Sequence, residues 1–298
     1  MIDIPQYLDA WKAYNGYSSM HIATSRGCPY QCVWCSHTVF GSTYRQRSVE
    51  NVVGEMKYLS EIYHPDHITI ADDTLGINKK WIRDWREKLQ SENIKIPFRC
   101  FSRANLINEE MLGELKLAGC RHIYLGVETG SQKILDSMTK GITVDQIQQA
   151  TKLIKSYNID IGFFIMFAFP GESYSDIKQT LDIIFELKPN SLGMSIAYPI
   201  PGTPFYEKVQ DKLLPSKHNT EETMGSSREL KFRATYPLRY YLALIRYIDL
   251  RRQKEFETTN IAHKAAITLQ SWFYWVYIVI YNTFTTSSKG TFLESEVL

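Results

Sequence analysis

Six short apolar runs, separated by longer stretches of helical periodicity, constrain what this chain can fold into more than any other feature. They occupy residues 20–24, 67–71, 96–101, 122–127, 161–169 and 191–198. Each is rich in Ile, Phe, Val or Tyr and bounded by polar or Gly/Pro residues, the pattern of strands buried in a parallel sheet. Between them lie amphipathic helices. Ser48 is placed to cap one whose Val49, Val52, Val53, Met56, Leu59 and Ile62 share a face. Thr143 and Gln146 form a capping-box pattern ahead of Ile147, Ala150, Leu153 and Ile154. Ser173 or Ser175 is placed to cap the helix of Ile177, Leu181, Ile184 and Phe185, which Pro189 stops. Residues 81–89 and 108–117, the latter closed by Gly119, fill the remaining gaps.

Six β–α units in succession predict a parallel sheet covered by helices, with right-handed crossovers. Six fall short of the eight that close a TIM barrel. An open doubly wound sheet has the same rhythm. The chemically unusual residues nearly all follow a strand, however, which is where a barrel gathers its active site. The expected fold is therefore α/β, a partial (β/α)6 TIM-like barrel over residues 18–207. After Tyr206 the rhythm stops. Residues 208–235 read as a polar linker or loop, and 236–298 as an aromatic-rich helical extension.

Within the first β–α unit stands Arg26-Gly27-Cys28-Pro29-Tyr30-Gln31-Cys32-Val33-Trp34-Cys35, a C-x3-C-x2-C spacing on a loop after the first strand. The chain has five cysteines, an odd number, and three lie within eight residues, which does not suit a disulfide framework. Residues 1–20 have no uninterrupted apolar core and read as neither a secretory nor a transit signal, so the expected compartment is the reducing cytoplasm. Three thiolates on one loop can ligate three irons of a [4Fe–4S] cluster and leave the fourth iron open. Zinc remains an alternative on spacing, because His37 is near enough to be a fourth ligand. Gly27, Pro29 and Gln31 mark a loop, which argues against packed core cysteines. Cys100 and Cys120 are isolated and read as small buried hydrophobes. The formal net charge of +2 gives no bulk electrostatic reason to expect nucleic-acid binding.

This loop resembles that of radical S-adenosylmethionine (SAM) enzymes, with Trp34 in the aromatic position before the third cysteine. The resemblance implies that Cys28, Cys32 and Cys35 hold a [4Fe–4S] cluster whose open iron binds the amine and carboxylate of SAM. Reductive cleavage then yields a 5′-deoxyadenosyl radical that abstracts hydrogen from a small organic substrate, with electrons from a donor such as flavodoxin or ferredoxin. Ala71-Asp72-Asp73-Thr74 resembles the family's acidic turn near the SAM amine, and Ser102-Arg103 the groups near its carboxylate and ribose. Gly126-Val127-Glu128-Thr129-Gly130-Ser131 is similar to the G-x-E-[ST]-G-[SA] segment, making Glu128 a further candidate. Ala168-Phe169-Pro170-Gly171-Glu172 resembles the G-[FLY]-P-G-E turn, with Ala168 in place of the first glycine and Pro170 beside the cofactor. Tyr198 to Pro204 carries the P-G-T-P turn.

Within the superfamily, S-R-G-C-P-Y-x-C-x-W-C-S-H-x-V-F-G and A-D-D-T resemble the group with an N-terminal cobalamin-binding domain. That group includes the anaerobic Mg-protoporphyrin monomethyl ester cyclase and many cobalamin-dependent methyltransferases. Residues 1–17 look like the linker that joins such a domain to the barrel. The sequence has no D-x-H-x-x-G segment, so the expectation is a shortened relative, or one whose cobalamin comes from a separate cobalamin-binding protein. Methyl transfer, oxidative cyclisation and other rearrangements all stay open as reaction types. The charge-free stretch between Lys264 and Lys289 is long enough to cross a bilayer. Its Gln270, Ser271, Asn282 and many Tyr instead favour a helix packed on the barrel or lying at a membrane or substrate surface.

Overall fold

The computed structural model describes residues 3–35, 41–215, 230–256 and 261–287. Its strands are β1 (Ser19–Ile22), β2 (Ser25–Arg26), β3 (Arg45–Gln46), β4 (His67–Ile70), β5 (Phe98–Ser102), β6 (Cys120–Glu128), β7 (Asp160–Phe167) and β8 (Ser191–Ile196). The α-helices are α1 (Ile4–Asn15), α2 (Val49–Tyr63), α3 (Lys79–Ser91), α4 (Glu109–Ala118), α5 (Gln132–Ser137), α6 (Val144–Ser156), α7 (Tyr174–Leu187), α8 (Pro204–Val209), α9 (Leu238–Phe256) and α10 (Ile261–Ser287). All six expected runs become strands of one sheet in the order β1-β4-β5-β6-β7-β8. Every neighbouring pair is parallel. The sheet curls into a half-barrel. Strand order follows chain order, as in a barrel and unlike a doubly wound sheet, where it reverses.

Strand alternation assigns the two faces. On β5, Phe98 and Cys100 are fully buried while Arg99 and Phe101 are half-buried. On β6, Ile123, Leu125 and Val127 are buried while His122, Tyr124 and Gly126 are not. The buried set packs outward against helices through Met56, Trp85, Leu112, Leu115, Ile147 and Ile184. The half-buried set lines the inside of the half-barrel. Cys100 and Cys120 belong to the outward-packed core, as expected.

The helix starts are local events. Ser48 accepts from Asn51 N at 3.2 Å. Thr143 and Gln146 close a capping box. Ser173 caps α7 and forms its box with Asp176. The segment that reads as a linker contains α1, capped by Asp3 and closed by Gly16 in the left-handed conformation. In the extension, α9 and α10 pair, with Asn282 Nδ2 donating to Tyr240 Oη at 2.9 Å. Ile267, Ser271 and Ile278 of α10 are buried, while Leu269, Trp272, Phe273 and Ile280 are exposed. Among the described residues no helix is long and apolar enough to cross a membrane.

Candidate active site at the cysteine loop

The cysteine loop is tied off at both ends. β2 and β3 pair antiparallel, Ser25 with Gln46 and Arg26 with Arg45. They enclose residues 27–44. Gly27 has φ +82°, and a Cβ there would stand 2.3 Å from the Thr43 carbonyl oxygen. Only glycine fits that approach. Asp72, at the end of β4, fastens the same neck. Its carboxylate accepts from Thr24 N at 2.6 Å, Thr24 Oγ1 at 2.5 Å, Ser25 N at 3.0 Å and Ser25 Oγ at 2.7 Å. Burial pushes its pKa up, and these four hydrogen bonds pull the other way. The acidic turn therefore divides its labour. Asp72 is buried and engaged with the loop; Asp73 is exposed, and its charge reaches Cys35.

Inside the loop, Cys35 N donates to Cys32 O at 3.1 Å, and Val33 N to Met138 O at 3.1 Å. Phe205 N, at the start of α8, donates to Val33 O at 3.0 Å. Val33 and Trp34 pack against a buried apolar cluster that includes Ile134, Met138, Met166, Phe169 and Phe205. The loop is thereby seated on α5, α8 and the turn after β7. Cys28 Sγ lies 3.9 Å from Thr74 Oγ1, and Cys32 Sγ lies 3.6 Å from Arg103 Nη1. The buried Arg103 guanidinium stacks 3.6 Å from the centre of the Tyr30 ring and donates to the Lys140 carbonyl.

Lys140 is the second buried cation. Its Nζ donates to Glu128 Oε1 at 2.7 Å and sits 4.9 Å over the Trp34 ring. A β-bulge brings Glu128 there: Gly126 pairs with Phe164 and Glu128 with Ile165, so β6 carries one extra residue at its end. Glu128 has φ +64°, and bulges beside active sites commonly re-aim a side chain in this way. Burial pushes the Cys35 thiol up to about 11, helped by Cys32, Cys28 and Asp73 and opposed by Lys140.

Three thiols on one closed loop, flanked by Arg103 and Lys140, form a donor set suited to an anionic metal–thiolate group. The thiols ligate as thiolates, and the two cations offset their charge. Among the described residues no three His, Cys, Asp or Glu side chains are close enough to hold a single ion. His37 lies outside the described residues. The donors present fit a [4Fe–4S] cluster.

Of the residues singled out in the sequence, Cys28, Cys32, Cys35, Trp34, Asp73, Arg103 and Glu128 converge at the C-terminal ends of β1, β4, β5 and β6. Asp72 stands one step behind them. Ala168 and Pro170 lie on the next turn, where Ala168 has φ +67° and its N–H donates to Glu172 Oε2 at 2.8 Å. A left-handed backbone explains why the resembling motif has glycine at that position. Pro170 borders a surface groove shared with Lys208, Val209 and Phe232. Lys140 and Tyr30 escaped the sequence reading. Lys140 sits in a turn without periodicity, between Thr139 and Gly141 of positive φ.

The sequence pattern of the Radical SAM superfamily matches residues 22–184. An uncharacterised methyltransferase of Pyrococcus horikoshii is 35% identical over 212 residues, covering 69% of this chain and 46% of that protein. The anaerobic magnesium-protoporphyrin IX monomethyl ester cyclase of Cereibacter sphaeroides is 26% identical, covering 63% of this chain and 32% of the cyclase. Among solved structures, the radical SAM methyltransferase TsrM of Kitasatospora setae superposes with a TM-score of 0.61 at 21% identity, over 68% of this chain and 38% of that one. The chain spans less than half the length of these relatives.

Proposed function

This chain belongs to the radical SAM superfamily, and on that premise we propose that it cleaves SAM reductively and abstracts hydrogen from an organic substrate. In this reading Cys28, Cys32 and Cys35 ligate the [4Fe–4S] cluster. The observation that carries it is the closed loop of three thiols, with two buried cations against it and no fourth thiol on the loop. When bound, a cluster of this kind supplies the electron that breaks the sulfonium of SAM, giving methionine and a 5′-deoxyadenosyl radical. The chain's own residues position the cofactor. Asp73 and the second oxygen of Glu128 offer acceptors to the SAM ammonium, while Lys140 holds the first oxygen. Arg103, clamped by Tyr30, offers donors to a carboxylate. Trp34 and Phe169, packed in one cluster, keep water from the loop's rear face. Ala168 and Pro170 form the turn beside the cofactor. The reading calls for an electron donor such as flavodoxin or ferredoxin.

A second reading, methyl transfer with cobalamin supplied by a separate protein, is favoured by the methyltransferase names of two relatives. The exposed Leu269, Trp272, Phe273 and Ile280 of α10 support contact with a membrane surface. The test of the main reading is anaerobic reconstitution with iron and sulfide, followed by dithionite and SAM. Release of 5′-deoxyadenosine is expected, and its loss in Cys32→Ala. A fully loaded cluster that yields none overturns the proposal, and recovery of zinc without iron supports a structural metal site instead.

A further inference from the structure

The inner face of the half-barrel is layered. Strand register puts His21, Thr69, Arg99, His122 and Asp160 in one row across five strands. Two residues nearer the C-terminal edge, Phe101, Tyr124 and Gly162 form the next row. Gly126, Phe164 and Gly193 form the one beyond. The cysteine loop and Glu128 stand past that edge.

The aromatic rows make a continuous tiled wall. Tyr124 and Phe164 stack with centroids 5.2 Å apart and planes 17° apart. Phe101 stacks on Phe164 at 6.0 Å and 25°, and His122 on Tyr124 at 4.3 Å and 19°. Two strand glycines let these rings lean flat over the neighbouring strand. A Cβ at Gly162 would meet Tyr124 Cδ1 at 2.4 Å, and one at Gly193 would meet Phe164 Cδ1 at 2.7 Å. Glycine weakens a strand and marks close approach, here the approach of a ring. Phe164 is 38% exposed although it lies inside the half-barrel.

Below this wall, Arg99 donates to Thr69 Oγ1 at 2.8 Å and to Tyr17 Oη at 3.4 Å, both neutral oxygens. None of the ion pairs among the described residues includes it. Asp160, at the end of the row, is two strands away, about 10 Å. Burial, reinforced by the Arg99 charge, lowers His67 to about 4 and also lowers His21. In the row itself, burial disfavours the charged form of both His21 and His122, and Arg99 is its permanent cation. A guanidinium with spare donors recognises a carboxylate as a bidentate fork.

We propose that this inner face is a subsite for an elongated, flat aromatic or conjugated carboxylate, its ring system on Tyr124 and Phe164, its carboxylate on Arg99 and its far end towards the cysteine loop. From the Arg99 row to Glu128 the wall runs about 15–20 Å, which sets the length of molecule that spans it. Only the direction of attack rests on the radical SAM reading; the recognition chemistry stands on the wall itself.

Equilibrium dialysis of the reconstituted full chain against 1-pyrenebutyrate and against its neutral analogue 1-pyrenebutanol tests this. The wild type is expected to retain the acid at least tenfold more tightly than the alcohol. Arg99→Gln brings the acid down to the alcohol's level, Arg99→Lys restores part of the preference, and Phe164→Ala weakens both probes severalfold. Circular dichroism melts confirm that each variant is folded. If Arg99→Gln does not fold, the wild-type preference and Phe164→Ala still decide the matter. Equal binding of acid and alcohol by the wild type, an undiminished preference in a folded Arg99→Gln, or no binding of either probe overturns the proposal. The last result would mean that the face is reserved for something other than a flat acid. Assay of 5′-deoxyadenosine on the same preparation separates the two ideas. SAM cleavage without acid preference removes only the subsite, and acid preference without SAM cleavage removes only the radical reading.

Discussion

Glu172 is fully buried, and one of its oxygens, Oε1, has no hydrogen-bond partner. Burial pushes its carboxyl up to about 8, only partly opposed by the Ala168 N–H. Its folded pKa thus lies above the unfolded value, so the folded state binds the extra proton. The resulting stability is fully present below about pH 4.5 and is lost as pH rises through about 8. The melting temperature should fall across that window, and Glu172→Gln should flatten the fall when melts are compared at pH 6 and pH 9. Lys140 and Glu128 pose the opposite case, a buried pair whose members are 6% and 10% exposed. Lys140→Met should destabilise by about 3–5 kcal/mol by leaving a buried carboxylate uncompensated, and adding Glu128→Gln should recover part of the loss. Chemical denaturation of the three variants checks both. Gly27→Ala should cut the iron and sulfide retained after reconstitution while far-ultraviolet dichroism stays near wild type, because its Cβ meets the Thr43 carbonyl. Roles at this scale were only partly legible. The sequence displays Asp72 and Asp73 as equals; only the fold shows Thr24 and Ser25 engaging Asp72. Lys140 reaches Glu128 across twelve residues, which no local pattern records.

At the scale of elements, features with local causes were readable and features made by distant pairing were not. The six strands announce themselves through composition, and Ser48, Thr143 and Ser173 through capping chemistry. Thr143→Ala should cost about 1 kcal/mol, read as a fall of about 2–4 °C in Tm by calorimetry, with the cluster loop unaffected. The β2–β3 neck joins two-residue strands across the whole cysteine loop, too short for any periodicity to reveal. The bulge that turns Glu128 inward depends on the register between β6 and β7. α1 emerges from a segment that reads as a linker; its helix faces solvent along most of its length, with Leu8 its one buried residue, so little apolar signal marks it.

For the whole molecule, strand order that follows chain order places the C-terminal ends of the six parallel strands along one curved rim. That rim gathers groups from residue 24 to residue 140 around three thiols, and the aromatic wall with Arg99 lies directly beneath it. The sequence made the rim readable because strand-end motifs occur in chain order. It left the wall hidden, since its rows form only when β5, β6 and β7 are in register. Electron paramagnetic resonance of the anaerobically reconstituted, dithionite-reduced chain, recorded with and without SAM, tests the rim most directly. A reduced [4Fe–4S] signal whose g-values shift when SAM is added, and which is lost in Cys28→Ala, is the predicted result. A signal indifferent to SAM, or a protein that keeps zinc and gives no iron signal, contradicts it.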